Sequence, residues 1–178
     1  MIAGLVLAAG EGRRFGGPKA PFVYEGERLV DRSVRVLREG GCDPIVVVLG
    51  AWLGEVPGSA IVVNDNWASG MGSSLREGLA SLPDELDAVL VTLVDLPGLT
   101  GAAISALIEG AHDDSLVAAQ FDGKRANPVV LGRKHWAGVA DSAVGDQGAR
   151  VYLAQHDVRL VPLDALANGD DLDLRPKS

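Results

Sequence analysis

The chain has 178 residues, 47% hydrophobic and 22% charged, the composition of one soluble domain with a full core rather than of a disordered chain. Its 24 acidic and 16 basic residues leave a net charge of -8, which excludes a nucleic-acid binder relying on a general positive field; any anionic ligand has to be held locally. A single cysteine, Cys42, no basic leader before the first apolar run and no apolar stretch of ~20 residues point to a cytoplasmic protein without disulfide, signal peptide or membrane span.

Residues 1–178 are expected to form one domain. Ile2 to Ala9 is short and apolar and runs straight into Gly10, Gly12, Gly16 and Gly17, a buried strand ending in a glycine-rich loop. Leu29, Val30, Val34 and Leu37, interleaved with arginines and closed by Gly40 and Gly41, predict a helix. Pro44 to Leu49 and Ala60 to Val63 read as strands, and Leu75, Leu79 and Leu82 place a helix from Met71 to Pro83. Ser74 and Glu77 have capping-box spacing and predict that helix's start. Ala88 to Val94 is the most strand-like run. A helix over Ala102 to Gly110, strands at Leu116 to Ala119 and Pro128 to Leu131, helical stretches near His135 and Arg150, and a strand at Val158 to Val161 follow. Apolar strands alternating with amphipathic helices imply a mainly parallel sheet covered on both faces, a three-layer α/β sandwich of Rossmann-like type. Ligands in such sheets bind beyond the carboxyl ends of strands, here the loops after Ala8, Val63, Val94 and Leu131.

Three segments suit chemistry there. In Ala9 to Lys19, glycines let backbone N–H groups turn inward around an anion, and Arg14 and Lys19 supply charge for a polyphosphate; the bland alternative is a solvated surface turn. The loop is neither a Walker A motif nor a dinucleotide fingerprint, since Phe15 takes the third glycine's place and the second strand ends in Leu49-Gly50-Ala51-Trp52 without a ribose-binding acid. Asp95, directly after a central strand, stands where a carboxylate would share Mg²⁺ with phosphate, or else caps the helix near Thr100. Asp170, Asp171 and Asp173 offer a second carboxylate. The third segment, Asn64 to Glu77, is dense in Asn, Ser and Gly and suited to reading a nucleobase edge, with Trp67 an anchor that packs the loop. His112, His135 and His156 show no zinc spacing, and no Gly-x-Ser-x-Gly elbow is present. Phosphoryl transfer needs little base chemistry from the protein and fits those absences.

Leu7-Ala8-Ala9-Gly10-x-Gly12-x-Arg14-Phe15-Gly16-x-x-Lys19 resembles the signature loop of nucleotidyltransferases acting on molybdopterin, within the nucleotide-diphospho-sugar transferase superfamily. Asn64-x-x-Trp67-x-x-Gly70-Met71-x-x-Ser74-Leu75, Asp95-Leu96-Pro97, Asn127-Pro128-Val129, Gly145-Asp146-Gln147-Gly148-Ala149-Arg150 and Asp171-Leu172-Asp173 resemble, in order, further motifs of its cytidylyltransferase branch. The chain departs from that pattern in a short Leu49 to Ala60 stretch and in Asn127, where a histidine is common. The resemblance implies transfer of CMP from CTP to molybdopterin phosphate with release of pyrophosphate, and a molybdenum hydroxylase as eventual recipient. It implies Arg14, Lys19 and Asp95 as catalytic residues, and Asp95 with Asp173 as Mg²⁺ ligands. Leu7, Ala8, Ala9, Gly10, Gly12, Asn64, Gly70, Gly72, Ser73 and Ser74 would bind nucleotide, and Asn127, Pro128, Asp146 and Arg150 the acceptor. The competing readings are a sugar-phosphate nucleotidyltransferase or nucleotide-sugar glycosyltransferase of the same fold, a non-catalytic accessory protein that hands over the cofactor, and a dinucleotide-dependent oxidoreductase.

Overall fold

The computed structural model describes residues 1–177. In chain order it contains β1 (Ile2–Ala8), a small hairpin of β2 (Val23–Tyr24) and β3 (Glu27–Arg28), α1 (Leu29–Glu39), β4 (Ile45–Leu49), β5 (Ala60–Val63) and α2 (Met71–Ala80). There follow β6 (Ala88–Leu93), α3 (Gly101–Ile108), β7 (Leu116–Phe121), β8 (Lys124–Gly132), α4 (Trp136–Ser142), α5 (Arg150–Ala154) and β9 (Arg159–Pro162).

Seven strands form one sheet in the order β5-β4-β1-β6-β8-β7-β9. The apolar runs without polar alternation are its middle strands, because both of their faces are covered. Val6, Ala8, Val47, Leu49 and Leu90 meet Leu29 and Leu37 of α1 and Ile104 and Leu107 of α3. Leu5, Leu7, Val46, Val48, Val89 and Val91 meet Leu75 and Leu79 of α2, Val139 of α4 and Leu153 of α5. Each fully buried leucine or valine contributes about 1.5 to 3 kcal/mol, so the two cores hold β1 and β6 rigidly and fix where their carboxyl ends emerge. Among the described residues no helix is long and apolar enough to cross a membrane.

Three local expectations are corrected. β8 runs antiparallel to both β6 and β7, whereas β1 is parallel to β4 and β6. The loop after Leu131 therefore lies at the opposite end of the sheet from the loops after Ala8 and Val94, and it is the start of β8 that reaches the ligand end. The reversal is made by Asp122 and Gly123, both with positive φ (52° and 74°), a two-residue hairpin turn. Ser74 and Glu77 form no capping box: α2 begins at Met71 with Gly70 as its N-cap, and Ser74 is buried in the first turn. Asp95 caps nothing; the N-cap of α3 is Thr100, whose hydroxyl accepts from the Ala103 N–H.

Candidate active site

A cavity of about 540 Å³ opens where β1 and β6 end, walled by the glycine-rich loop, by the Trp67 to Met71 segment, and by Leu93, Val94, Asp95 and Asp146. The loop is shaped by Gly12, at φ +63°, where a Cβ would sit 1.9 Å from the Gly17 carbonyl oxygen. That close approach lets the Gly16 and Gly17 N–H groups both donate to the Gly12 carbonyl, at 2.9 and 3.0 Å. The turn sends the chain back toward β6 and delivers Lys19 to Asp95, Nζ to Oδ2 2.9 Å.

This pair is the electrostatic centre of the site. The Lys19 and Asp95 side chains are 16% and 19% exposed, so the ion pair is largely out of water. Asp95 Oδ1 is buried with no hydrogen-bond partner. A carboxylate oxygen only accepts, and leaving it orphaned in a low-dielectric wall is costly unless a cation or water fills the place. Mg²⁺ suits such a group, because it takes one or two protein carboxylates and completes its shell with water and phosphate oxygens. Among the described residues there is no group of three or more His, Cys, Asp or Glu side chains that would cage a metal without substrate. The donor set thus fits a cation brought to Asp95 together with a polyphosphate.

The opposite wall rests on Asn64, 2% exposed. Its amide donates to Ser73 Oγ (2.8 Å) and Ser74 Oγ (3.0 Å), and its carbonyl accepts from the Asn66 N–H. Ser73 Oγ in turn donates to the carbonyls of Gly70 and Asn66. Asn64 and Ser73 brace the wall from behind, whereas Gly70 and Ser74 line the cavity. Gly72 donates to the Gly145 carbonyl at 2.7 Å, which brings the loop carrying Asp146 across the start of α2. Trp67 is partly buried against the second core and also reaches the cavity, so the anchoring residue is part of the wall.

Leu7, Ala8, Ala9, Gly10, Gly12, Lys19, Asp95 and Asp146 also line the cavity. Arg14 does not; it points outward and donates to Asp173 Oδ2 at 3.4 Å. Arg13 takes the wall position and pairs with Glu11, which lines the cavity too. Nothing in residue spacing separates these adjacent arginines, so Arg13 and Glu11 carried no signal of their own. Asp173 approaches from the C-terminal segment, where the Leu172 N–H donates to the Asp95 carbonyl at 2.8 Å. Asn127 and Pro128 lie at the β8 irregularity, next to the Val129–Val91 pair and toward the carboxyl end of β6, outside the cavity wall. Arg150 opens α5 and is exposed. Two histidines that look solitary in sequence come together away from the cavity. His135 Nδ1 is 2.7 Å from the Tyr152 hydroxyl, and the His135 and His156 rings are 6.0 Å apart.

The sheet order, the glycine-rich turn and the Lys19–Asp95 pair define a nucleotidyltransferase type of fold. The chain belongs to the MobA-like NTP transferase domain family, whose model matches residues 4–160. It is 36% identical over 188 residues to nicotine blue oxidoreductase of Paenarthrobacter nicotinovorans, covering 97% of this chain and 92% of that protein. It is 29% identical over 137 residues to the molybdenum cofactor guanylyltransferase of Desulfosudis oleivorans, covering 75% and 66% respectively. The fold superposes on the Rv0371c homologue of Mycobacterium sp. strain JC1 with a TM-score of 0.82 at 24% identity, over 97% of this chain and 90% of that one. A nucleotidyl transferase from Methanothermobacter superposes with a TM-score of 0.78 at 21% identity, over 91% and 87%.

Proposed function

We propose that the chain is a single-domain nucleotidyltransferase that moves a nucleoside monophosphate, CMP by preference, from its triphosphate to the phosphate of a molybdopterin-type acceptor. The observation that carries this reading is the Lys19–Asp95 pair, largely out of water and with one Asp95 oxygen unpartnered, at the wall of the cavity bounded by the glycine turn. An acceptor phosphate oxygen attacks the α-phosphorus of the triphosphate, the bond from that phosphorus to the bridging oxygen breaks, and pyrophosphate leaves. The acceptor is already ionised, so no side chain needs to remove a proton.

Each residue has a task in that scheme. The backbone of Ala8 to Gly12 lies against base and ribose. Lys19 offsets charge building on the bridging oxygen, and Arg14 swings from Asp173 to the leaving pyrophosphate. Asp95, with Asp173 once Arg14 has left it, would hold Mg²⁺, which would supply the remaining charge compensation. Asp146, which lines the cavity, is assigned to the acceptor together with Asn127, Pro128 and Arg150, which lie outside the cavity wall. A molybdenum hydroxylase is the proposed recipient of the product.

The test is a thermal-shift panel of CTP, GTP, ATP, UTP and NAD, each with and without Mg²⁺, on the wild type and on Asp95→Ala. A ligand at ~100 times its Kd adds ~2.7 kcal/mol of stability. A CTP-selective shift that needs both Mg²⁺ and Asp95 is expected, followed by pyrophosphate release once molybdopterin is supplied. Preference for GTP, the nucleotide implied by the guanylyltransferase relatives, would move the base assignment and leave the reaction class standing.

A second reading has one observation behind it: the relative matched along 97% of this chain is an oxidoreductase by name. An NAD shift indifferent to metal would favour it. The carboxyl end of β4 passes from Leu49 to Gly50 without the acid that a dinucleotide ribose uses, which is why transfer is preferred.

A further inference from the structure

We infer that Arg175 is a positioning residue that fastens the glycine-rich loop to the Asp95 loop through the C-terminal segment. Among the described residues after β9 there is no further helix or strand, yet the segment is tied at successive points. The Leu166 carbonyl accepts from the Thr100 hydroxyl at 2.8 Å, the Asn168 N–H donates to the Gly98 carbonyl at 3.2 Å, and the Leu172 N–H donates to the Asp95 carbonyl at 2.8 Å. Three residues later the segment reaches the other wall of the cavity. Arg175 Nε donates to the Phe15 carbonyl at 3.3 Å, and its guanidinium lies 5.2 Å from the ring centroids of both Phe15 and Phe22.

Those two rings pack edge to face at 4.8 Å, and Phe15 is buried. Lys19 Nζ lies 5.8 Å from the same Phe15 ring. Phe15 is therefore the joint between Arg175 and the lysine of the site. The short stretch from Leu172 to Arg175 spans from the Asp95 backbone to the Phe15 backbone, so it sets how far apart the two loops stand. Arg175 is itself exposed and absent from the cavity wall, which separates its role from direct contact with a ligand. A planar guanidinium stacks on rings and keeps a directed N–H at once, which suits it to this place.

The experiment is hydrogen exchange of the full chain at the Gly16 and Gly17 amides, compared with amides of β1, in wild type, R175A, R175Q and R175K. An exposed cation–π contact and one hydrogen bond together amount to about a tenfold change in loop opening. R175A and R175Q are expected to exchange about tenfold faster at Gly16 and Gly17, R175K to fall between them and wild type, and β1 to change by no more than the accompanying fall of about 3 to 6 °C in melting temperature requires. Loop exchange in R175A within about twofold of wild type would overturn the inference. The second arm, which rests on the proposed nucleotide reading, is the Kd for CTP with Mg²⁺, expected to rise about tenfold in R175A. Faster exchange with an unaltered Kd would overturn the positioning role. If CTP does not bind the wild type, the nucleotide reading falls and the exchange arm still decides whether Arg175 fastens the loop.

Discussion

Asp95 and Lys19 depend on each other in a way that can be measured without knowing the substrate. Lys19→Met leaves the Asp95 carboxylate mostly buried and without a cation, where its desolvation is no longer offset. Because the pair keeps some contact with water, a destabilisation of about 3 kcal/mol is expected, at the low end for breaking a buried pair. Mg²⁺ should restore part of that loss in Lys19→Met and none of it in the double variant with Asp95→Asn; calorimetric melting with and without the metal reads both. In turnover, Asp95→Ala is expected to cost on the order of 10² to 10³ in rate, followed as pyrophosphate release. Cys42 is a residue of the opposite kind. Burial pushes its thiol up to about 12, so thiolate is scarce at neutral pH. Labelling by a thiol reagent at pH 8 should track global unfolding, and fast labelling of the native chain would contradict that packing.

At the scale of elements, loop and helix answer differently to substitution. Gly12→Ala places a Cβ against the Gly17 carbonyl at a backbone angle that side chains rarely adopt, so the turn has to open. Loss of the nucleotide-induced thermal shift is expected, together with a lower melting temperature of the free chain, because the same turn carries buried Phe15 and delivers Lys19 to Asp95. Thr100→Ala acts through a helix end: it removes the cap of α3 together with the hydrogen bond to the Leu166 carbonyl, costs about 2 kcal/mol and lowers the melting temperature by about 4 to 8 °C. What could be read in the residues follows from the same physics. Continuous apolar runs in β1, β4 and β6 announced buried parallel strands, and the glycines after Ala8 announced a loop at a strand end. Strand direction is not written in apolarity, so β8 looked like one more parallel member. Asp122-Gly123 was the available sign of a hairpin, as was Glu25-Gly26 for β2 and β3. The capping-box spacing at Ser74 misled because Asn64, ten residues upstream, claims that hydroxyl through a contact no local pattern shows. Arg13 and Arg14 were indistinguishable for a related reason: the partner that draws Arg14 outward, Asp173, lies 159 residues away.

The whole molecule carries an acid-side dependence that starts at the small hairpin. Hydrogen bonds from Arg35 hold the Glu27 carboxyl below its ordinary 4.5. A carboxylate with a lowered folded pKa binds fewer protons in the native state than in the unfolded chain. Its stabilisation is complete above the ordinary value and disappears as pH falls through the lowered one. Melting temperature should decline on acidification from about pH 5, and Glu27→Gln should flatten that decline while lowering stability at neutral pH; a parallel shift of the whole curve would assign the effect elsewhere. With a net charge of -8, the molecule has no general attraction for anions, which leaves ligand capture to the few cations at the cavity.

The ties of the C-terminal segment also bear on how the protein is made. β1 and the glycine turn leave the ribosome before the C-terminal segment, but the bond from Arg175 to Phe15 joins residues 160 apart in sequence. During synthesis the central strands can assemble while the turn after β1 still lacks its last support, and the two halves of the pocket acquire their final spacing only when Leu172 to Arg175 have emerged. A nascent chain stalled before that point would hold a formed sheet with an unfinished pocket, a sequence of events that places competence for ligand after, and not during, the folding of the core.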